Sequence, residues 1–282
     1  MSAGLSSQEF ALMQKYIEDK CGITLGEDKA YLIETRLSKL LIDSGLNSFE
    51  ELYHHIRTSN DQRLVEKVID AITTHETLWF RDRSPWEIMG EVMLPEYVKM
   101  LREGRRFKIR IWSAACSTGQ EPYSVAMLID NYLNRNGISD VRLSQFEIVA
   151  TDISTTVLDI ARLGRYDSIS IQRGLGPEYR DKYFANEGRI WLLDDKIKNA
   201  VTFKPFNLQA DFGAIGRFDL VLCRYVLIYF SEQLRKSVVN KISRVLENDG
   251  VLLIGSSEIF NDFSENYESR RFNEGTFYQV KR

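Results

Sequence analysis

The spacing of apolar residues divides the chain into two parts. In the first part apolar side chains recur at helical spacing, as Phe10, Met13 and Ile17 do. Residues 6–9 (SSQE) precede this stripe in a capping-box pattern, which is a typical start of a helix. Further stripes with the same period follow. We therefore predict an all-α N-terminal domain over residues 1–72.

After a connector at residues 73–85, helical and strand patterns alternate. The patterns predict helices at 85–103, 120–135, 154–162 and 231–246, and strands at 107–113, 145–152, 218–223 and 250–256. Such alternation is typical of a parallel sheet that helices cover on both faces. The triplet Asn248-Asp249-Gly250 predicts a turn before the last strand. We predict an α/β domain over residues 86–282.

One segment, at about residues 166–206, breaks this alternation. It contains a short helical run, GPEYRDKYF, and two strand-like runs, RIWLLDD and AVTFKPF. Turn-forming residues around Gly188 indicate that the segment is a small antiparallel β insert. The insert is either a structural addition or a docking site, and the pattern favours neither.

The composition restricts the classes of function. The 282 residues carry a formal net charge of −3, which argues against general binding of nucleic acid. The cysteines lie far apart and the histidines form no set of metal ligands, so we predict neither a disulfide framework nor a metal site. No apolar run approaches the roughly 18 residues of a membrane span, and the first residues do not resemble a signal peptide. We expect a cytoplasmic protein that does not insert into membranes.

The stretch WSAACSTGQEPYSVA, residues 112–126, joins a predicted strand to a predicted helix. Loops of small residues at such junctions let a ligand lie against the backbone. This loop has one glycine, Gly119, and continues into the acid Glu121. A carboxylate repels a phosphate and attracts a cation. S-adenosylmethionine carries an ammonium and a sulfonium and no phosphate, so it suits this loop better than NAD or ATP.

Asp152 ends the next predicted strand, at what should be the carboxyl edge of the sheet. A carboxylate there can accept hydrogen bonds from both hydroxyls of a ribose. Each acid alone has a plainer explanation, because Asp152 could cap the following helix and Glu121 could be a first-turn acid favoured by the helix dipole. Together with the loop, the two acids favour a class I methyltransferase fold.

Five motifs occur together in the chain. They are TTHETLWFR, WSAACSTGQEPYS, ATDIS, FKPFNL and CRYVLIYF. With them the chain resembles the bacterial chemotaxis receptor glutamate methyltransferases, the CheR family, over nearly its whole length. The resemblance implies an α/β class I methyltransferase (Rossmann-like) sheet with a small antiparallel insert, preceded by an all-α domain. It also implies methyl transfer from S-adenosylmethionine to glutamate side chains of chemoreceptors, with S-adenosylhomocysteine as the second product.

The resemblance further implies roles for particular residues. In the connector, His75, Thr77 and Arg81 should contact the cofactor. Glu121 should bind the methionine amino group, and Asp152 should hold the ribose.

Later motifs supply the remaining contacts that the resemblance implies. Asn207 and Leu208 should border the adenine and its amine. Arg224 and Tyr225 should line the cofactor on the opposite side. Tyr229 should lie near the transferable methyl group.

His75 and Tyr225 depart from the family pattern, which usually has asparagine at both positions. An asparagine side chain offers a donor and an acceptor, whereas tyrosine offers one hydroxyl and more bulk. Backbone contacts would survive both changes, but the side-chain contacts at these positions are open. Tyr225 has an equally good alternative as a strand-end aromatic that packs on the sheet.

The implied chemistry needs no general base, because a glutamate with a pKa near 4.3 is already ionised at neutral pH. It needs in-line placement of the carboxylate, the methyl group and the sulfur. Burying the substrate carboxylate costs free energy, so Arg81 should receive its oxygens and Tyr229 should fix the remaining geometry. Arg81 has the alternative of a structural ion pair with Asp82 or another acid.

The expected partners are the cytoplasmic helices of chemoreceptors, recognised by the N-terminal domain and the insert. In the family the insert can also dock a receptor C-terminal peptide by adding a β-strand. Two other functions stay open, namely a methyltransferase for carboxyl groups of small molecules and a signalling module that binds the cofactor without methyl transfer. The charge and the lack of an apparent basic and aromatic stripe disfavour a nucleic-acid methyltransferase.

Overall fold

A computed structural model describes residues 4–59, 61–258 and 265–281 of the chain. The N-terminal helices are α1 Ser7–Cys21, α2 Ala30–Asp43, α3 Phe49–Thr58 and α4 Gln62–Ile72, with a 3₁₀ turn Glu27–Lys29 before α2. Their apolar stripes meet in one core, in which Met13, Ile33, Leu37 and Leu52 are fully buried. The prediction of an all-α N-terminal domain is confirmed. Residues 1–3, 60, 259–264 and 282 of the predicted domains lie outside the described residues.

Local interactions fix both ends of α1. The Ser6 hydroxyl accepts a hydrogen bond from the Glu9 N–H, and the Glu9 carboxylate accepts one from the Ser6 N–H, so the predicted capping box is confirmed. After the helix, Gly22 adopts a left-handed conformation with φ +76°. A side chain at this position would also collide with Leu234. The end of α1 therefore packs directly on the second part of the chain.

The second part begins with one long helical segment. It consists of α5 Ser84–Ile88, a π-helical turn Met89–Met93 and α6 Leu94–Arg102. Pro95 lies just after this turn and has no N–H to donate, which accounts for the changed hydrogen-bond pattern. The later helices are α7 Gln120–Arg135, α8 Thr155–Leu163, α9 Ser168–Gln172, α10 Pro177–Tyr183, α11 Asp195–Lys198 and α12 Glu232–Val245. The four longer helices predicted here are confirmed to within one residue at each end.

The strands form a mixed main sheet and a small second sheet. In chain order they are β1 Ile109–Ala114, β2 Phe146–Asp152, β3 Arg165–Asp167, β4 Phe184–Glu187, β5 Ile190–Leu193, β6 Val201–Pro205, β7 Phe218–Cys223, β8 Leu246–Ile254, β9 Tyr267–Phe272 and β10 Gly275–Val280. The order in the main sheet is β6-β2-β1-β7-β8-β10-β9. Its first five strands are parallel, while β9 and β10 form an antiparallel hairpin that the sequence analysis did not predict.

Register places the site at one edge of the main sheet. Ser113 of β1 pairs with Ala150 of β2 on one side and with Leu222 of β7 on the other. The carboxyl ends of these three strands therefore meet, as expected for neighbouring parallel strands. Successive residues of β1 face opposite sides, so Ile111 packs under α7 and Trp112 packs under α12.

The second sheet, with the order β3-β5-β4, is the antiparallel insert that the sequence predicts. One part of that prediction is wrong. The run AVTFKPF does not belong to the insert, because Val201–Pro205 pairs in parallel with β2, with Phe203 opposite Ala150. Periodicity predicts a strand there correctly, but the partner of that strand depends on tertiary packing.

The predicted turn at Asn248-Asp249-Gly250 is also wrong. These residues lie inside β8, where the pairing with β7 shifts between the pairs Phe218–Leu246 and Leu220–Val251. The strand absorbs the turn-forming residues in a bulge. A long-range contact stabilises this arrangement, since the guanidinium of Arg106 lies 2.8 Å from the Asp249 carboxylate. Across residues 4–59, 61–258 and 265–281, no helix is both long and apolar enough to cross a membrane.

Candidate active site

A cavity lies at the carboxyl edge of the main sheet, where β1, β2 and β7 end. Its walls come from the connector, from the loops after these strands and after β6, and from the residues that follow α1. All ten residues singled out from the sequence line it, namely His75, Thr77, Arg81, Glu121, Asp152, Asn207, Leu208, Arg224, Tyr225 and Tyr229. The structure thus brings together five segments that are far apart in the chain. The role of each residue toward a ligand stays a prediction.

The small-residue loop after β1 is tightly curled. Ala115, Ser117 and Gly119 have φ values of +57°, +51° and +92°, all in the left-handed region. A side chain on Gly119 would come within 2.9 Å of the Ala161 Cβ on α8, so only glycine fits this position without adjustment. Non-glycine residues in this conformation cluster at functional sites. Ala115, Cys116 and Ser117 of this loop line the cavity.

Asp152 joins this loop to the end of β2. One carboxylate oxygen accepts a hydrogen bond from the Ser117 N–H at 2.9 Å, and the other accepts one from the Ser154 N–H at 3.0 Å. Burial raises the pKa of Asp152, although both N–H groups favour its charged form. The N-cap of α8 is Ser154, whose hydroxyl accepts from the Val157 N–H. Asp152 is thus fixed in place and keeps further lone pairs for a ligand.

Arg224 forms the charged centre of the site. Its guanidinium lies 2.8 Å from the Glu121 carboxylate and 2.8 Å from the Asp82 carboxylate, and its side chain is 1% exposed. The second oxygen of Glu121 accepts a hydrogen bond from the Ser113 hydroxyl at 2.7 Å. Two carboxylates share one guanidinium, which leaves one negative charge in excess. The cluster therefore favours a cationic ligand beside it.

Unlike Arg224, Arg81 forms no ion pair with any acid among the described residues. Its guanidinium lies 3.5 Å from the centroid of the Tyr225 ring and donates a hydrogen bond to the Glu76 carbonyl at 3.1 Å. Within the described part of the chain, no carboxylate lies at ion-pair distance from Arg81. The suggested structural ion pair with Asp82 is not formed, because Asp82 binds Arg224.

The connector is held from two sides. The His75 imidazole lies 2.9 Å from the Thr73 hydroxyl, while the His75 carbonyl accepts a hydrogen bond from the Ser117 hydroxyl at 3.0 Å. Further along, Trp79 is fully buried and packs edge-on against Tyr166 and Phe184 of the insert. The His75 side chain thus makes its contact within the connector, while the His75 carbonyl binds the loop after β1.

The end of α1 closes the cavity, which the sequence analysis did not foresee. The Asn207 side chain donates to the Lys20 carbonyl at 2.8 Å, and the Gln209 side chain donates to the Glu18 carbonyl at 3.0 Å. The Thr24 N–H donates to the Tyr229 carbonyl at 2.9 Å. Cys21 and Ile23 line the cavity as a result. Asn207 therefore lines the cavity, and its side chain also ties the two parts of the chain together.

Glu258 is a second residue that sequence reasoning missed. Its buried carboxylate accepts hydrogen bonds from the N–H groups of Gly255, Tyr225, Leu227 and Val226, at 2.7, 2.8, 2.9 and 3.1 Å. Burial raises the pKa of Glu258, although these donors favour the charged form. An acid just after a strand in the run GSSE was the available signal, but three of its four partners lie 31 to 33 residues earlier in the chain.

S-adenosylmethionine fits the walls of this cavity. The carboxylates of Glu121 and Asp152 suit cationic groups and ribose hydroxyls, while Ile153 and Phe206 supply apolar surface for an adenine. Arg224 has a buried Nε–H that finds no partner among the described residues. Five parallel strands with an acidic site at their carboxyl edge are the arrangement expected of a class I S-adenosylmethionine-dependent methyltransferase.

Comparison with known proteins agrees with this class. The family description "CheR methyltransferase, SAM binding domain" matches residues 75–275, and "CheR methyltransferase, all-alpha domain" matches residues 8–73. The chain therefore belongs to the CheR methyltransferase family, and the predicted family, fold class and cofactor are confirmed.

Curated relatives match over nearly their full length. The chain is 40% identical to chemotaxis protein methyltransferase Cher2 of Pseudomonas putida, with 100% of each chain covered. It is 40% identical to chemotaxis protein methyltransferase 1 of Pseudomonas aeruginosa, over 98% of this chain and 99% of the relative. It is 39% identical to chemotaxis protein methyltransferase 1 of Vibrio cholerae, over 98% of each.

Proposed function

We propose that this protein methylates glutamate side chains on the cytoplasmic helices of chemoreceptors, converting each carboxylate into a methyl ester. The names of the relatives support a substrate in chemotaxis. The observation that carries the proposal is the state of Arg81, a guanidinium in the cavity wall without a carboxylate partner among the described residues. A cation in this state is suited to receive a carboxylate substrate.

The residues of the chain would act by binding and orienting. When bound, S-adenosylmethionine supplies an electrophilic methyl group on a sulfonium. Arg81 can donate two parallel hydrogen bonds to one carboxylate, which fixes both its position and its plane. Tyr229 lies in the same wall, and the bond from the Thr24 N–H to its carbonyl holds its backbone. No residue has to remove a proton, since the substrate is already an anion at neutral pH.

Recognition of the receptor would use surfaces outside the cavity. We propose the N-terminal domain and the insert for this role. The outer strand β4 of the insert, Phe184–Glu187, pairs with β5 on one side and has three exposed residues at its end. An extended receptor C-terminal peptide could add to such an outer strand by backbone hydrogen bonds.

The test uses membranes that contain chemoreceptors and S-adenosylmethionine labelled in the methyl group. With the protein present, we expect label on the receptors that mild base releases as methanol, the behaviour of a methyl ester. Receptors whose methylated glutamates are changed to alanine serve as the control and should stay unlabelled. Base-stable label, or label on small molecules instead of receptors, would contradict the proposal.

A further inference from the structure

Arg81 and Tyr225 form an unusual contact at the cavity wall. The guanidinium lies 3.5 Å from the ring centroid, closer than any other cation–ring pair among the described residues. Within residues 4–59, 61–258 and 265–281, the guanidinium makes one hydrogen bond, which it donates to the Glu76 carbonyl. Its orientation therefore depends largely on the ring of Tyr225.

Tyr225 is itself held firmly. Its hydroxyl bonds to the Asp82 carboxylate and lies 2.9 Å from the Ser256 hydroxyl. Asp82 is in turn fixed by Arg224. The ring is thus anchored at its far end to the charged centre of the site, while its face carries Arg81.

The backbone of Tyr225 adopts a conformation that does not suit a tyrosine. Its φ of +59° lies in the left-handed region, which asparagine and aspartate tolerate better than bulky residues. Glu258 compensates for this strain, because its carboxylate accepts hydrogen bonds from the N–H groups of Tyr225, Val226 and Leu227. Surrounding interactions therefore keep a large ring at a position where a smaller side chain would be easier to accommodate.

We propose that Tyr225 is a positioning residue, whose ring holds the Arg81 guanidinium in the plane that receives the substrate carboxylate. This inference rests on the proposed function of Arg81. It separates Tyr225 from cofactor binding, because the ring faces Arg81 and its hydroxyl is used by Asp82 and Ser256. Loss of the ring should weaken substrate positioning and leave the cofactor in place.

The test compares Tyr225→Phe, which keeps the ring, with Tyr225→Leu, which removes it. We expect Tyr225→Leu to lower kcat/KM for receptor methylation about tenfold, which corresponds to about 1.4 kcal/mol, between the values typical of exposed and of desolvated cation–π contacts. Tyr225→Phe should stay within about threefold of the wild type, because the aromatic face remains. The Kd for S-adenosylhomocysteine should change less than about twofold in both.

A double-mutant cycle separates positioning from a general structural effect. Arg81→Lys keeps a charge but lacks the planar group that stacks on the ring. If Tyr225 acts through Arg81, adding Tyr225→Leu to Arg81→Lys should cost much less than it does in the wild type. Tyr132→Leu makes the same kind of change in α7, at a residue that does not line the cavity. It is the matched control and should leave methylation unchanged.

Three results would contradict the positioning role of Tyr225. Equal losses in Tyr225→Phe and Tyr225→Leu, additive losses in the cycle, or a parallel loss of S-adenosylhomocysteine affinity would overturn the inference. If Tyr225→Leu does not fold, Tyr225→Gly replaces it, since glycine suits the left-handed backbone, lacks the ring and adds no polar side chain to the cavity. Full activity of Arg81→Ala would instead remove the proposed function of Arg81 itself, so the two failures are distinguishable.

Discussion

The Arg224 guanidinium and the Glu121 carboxylate lie 2.8 Å apart, and the arginine side chain is almost completely buried. Asp82 binds the same guanidinium, so one cation links the loop after β7, the start of α7 and the connector. A buried cation shared by two acids determines how these three segments meet.

Arg224→Met removes the charge and keeps an extended apolar side chain. Glu121 and Asp82 then lose their counter-charge, and breaking a buried pair in this way typically costs about 3 kcal/mol or more of the free energy of unfolding. Urea denaturation measures the loss. Arg83→Met is the matched control, because Arg83 pairs with Glu87 at an exposed site, and it should leave stability nearly unchanged. Equal stabilities of the two variants would contradict the argument.

Asp152→Ala tests the predicted ribose contact. The change removes a charged acceptor, and a hydrogen bond to a charged group contributes about 1.5–3 kcal/mol. We expect the affinity for S-adenosylhomocysteine, measured by calorimetry, to fall at least about tenfold. Asp159→Ala, at an exposed position of α8, is the control. Unchanged affinity in a folded Asp152→Ala protein would exclude Asp152 from the site.

Local sequence patterns predicted the parts of the site that depend on neighbouring residues. The loop after β1, with Glu121, and the position of Asp152 follow from a strand, small residues and a helix in succession, and the structure has them in that order. The all-α domain and the alternating helices follow from periodicity in the same way. These features need no information about distant contacts.

Distant contacts explain what the sequence could not predict. The Asn248–Gly250 triplet lies in a strand, where Asp249 binds Arg106, a residue far earlier in the chain. Asn207 has a local signature, but the carbonyl that its side chain binds belongs to Lys20. Glu258 binds backbone N–H groups, which no residue type encodes. In each case the partner is set by tertiary packing.

Asp130 gives a prediction about pH. Burial alone would raise its pKa, but hydrogen bonds from Lys196 and Tyr183 and the charge of Lys182 outweigh burial, so the pKa lies below its usual 3.8. A depressed carboxyl pKa stabilises the folded state above the unfolded pKa, and this contribution is lost as the pH falls through the folded value. Because Lys196 and Tyr183 belong to the insert, acid should loosen the insert from α7.

Asp130→Asn should therefore be less stable than the wild type at pH 7, and its stability should fall less steeply below about pH 4. Unfolding free energies measured from pH 7 to pH 3 test both points. Asp181→Asn, which changes an exposed acid of the insert, is the control and should follow the wild-type curve. Parallel curves for Asp130→Asn and the wild type would show that Asp130 does not govern this response.

Glu258→Gln tests the carboxylate that holds the turn after β7. A glutamine is nearly the same size, but its NH₂ group would face N–H donors instead of accepting from them. We expect a loss of about 1–3 kcal/mol in the free energy of unfolding. Methylation should fall as well, since Tyr225 and Tyr229 lie in or beside this turn. Denaturation and label transfer measure the two effects, and Glu268→Gln on the exposed strand β9 is the control. Unchanged stability and activity would refute the role given to Glu258.

Arg81→Ala and Tyr229→Phe separate binding of the substrate from its orientation. The substrate carboxylate has to lose water before it reaches the methyl group. Arg81 can replace that water, because its guanidinium lies in the cavity wall and forms no ion pair with an acid among the described residues. Its removal should lower single-turnover methylation by about 10²–10³ at saturating cofactor, the usual cost of losing one preorganised group. Tyr229→Phe should have a smaller effect, because only a hydroxyl is lost. Tyr229→Phe should bind S-adenosylhomocysteine nearly as the wild type does. The saturating cofactor offsets any weaker cofactor binding by Arg81→Ala, and circular dichroism checks the folding of both variants. Turnover of Arg81→Ala within a few-fold of the wild type would show that Arg81 is structural and that another group receives the carboxylate.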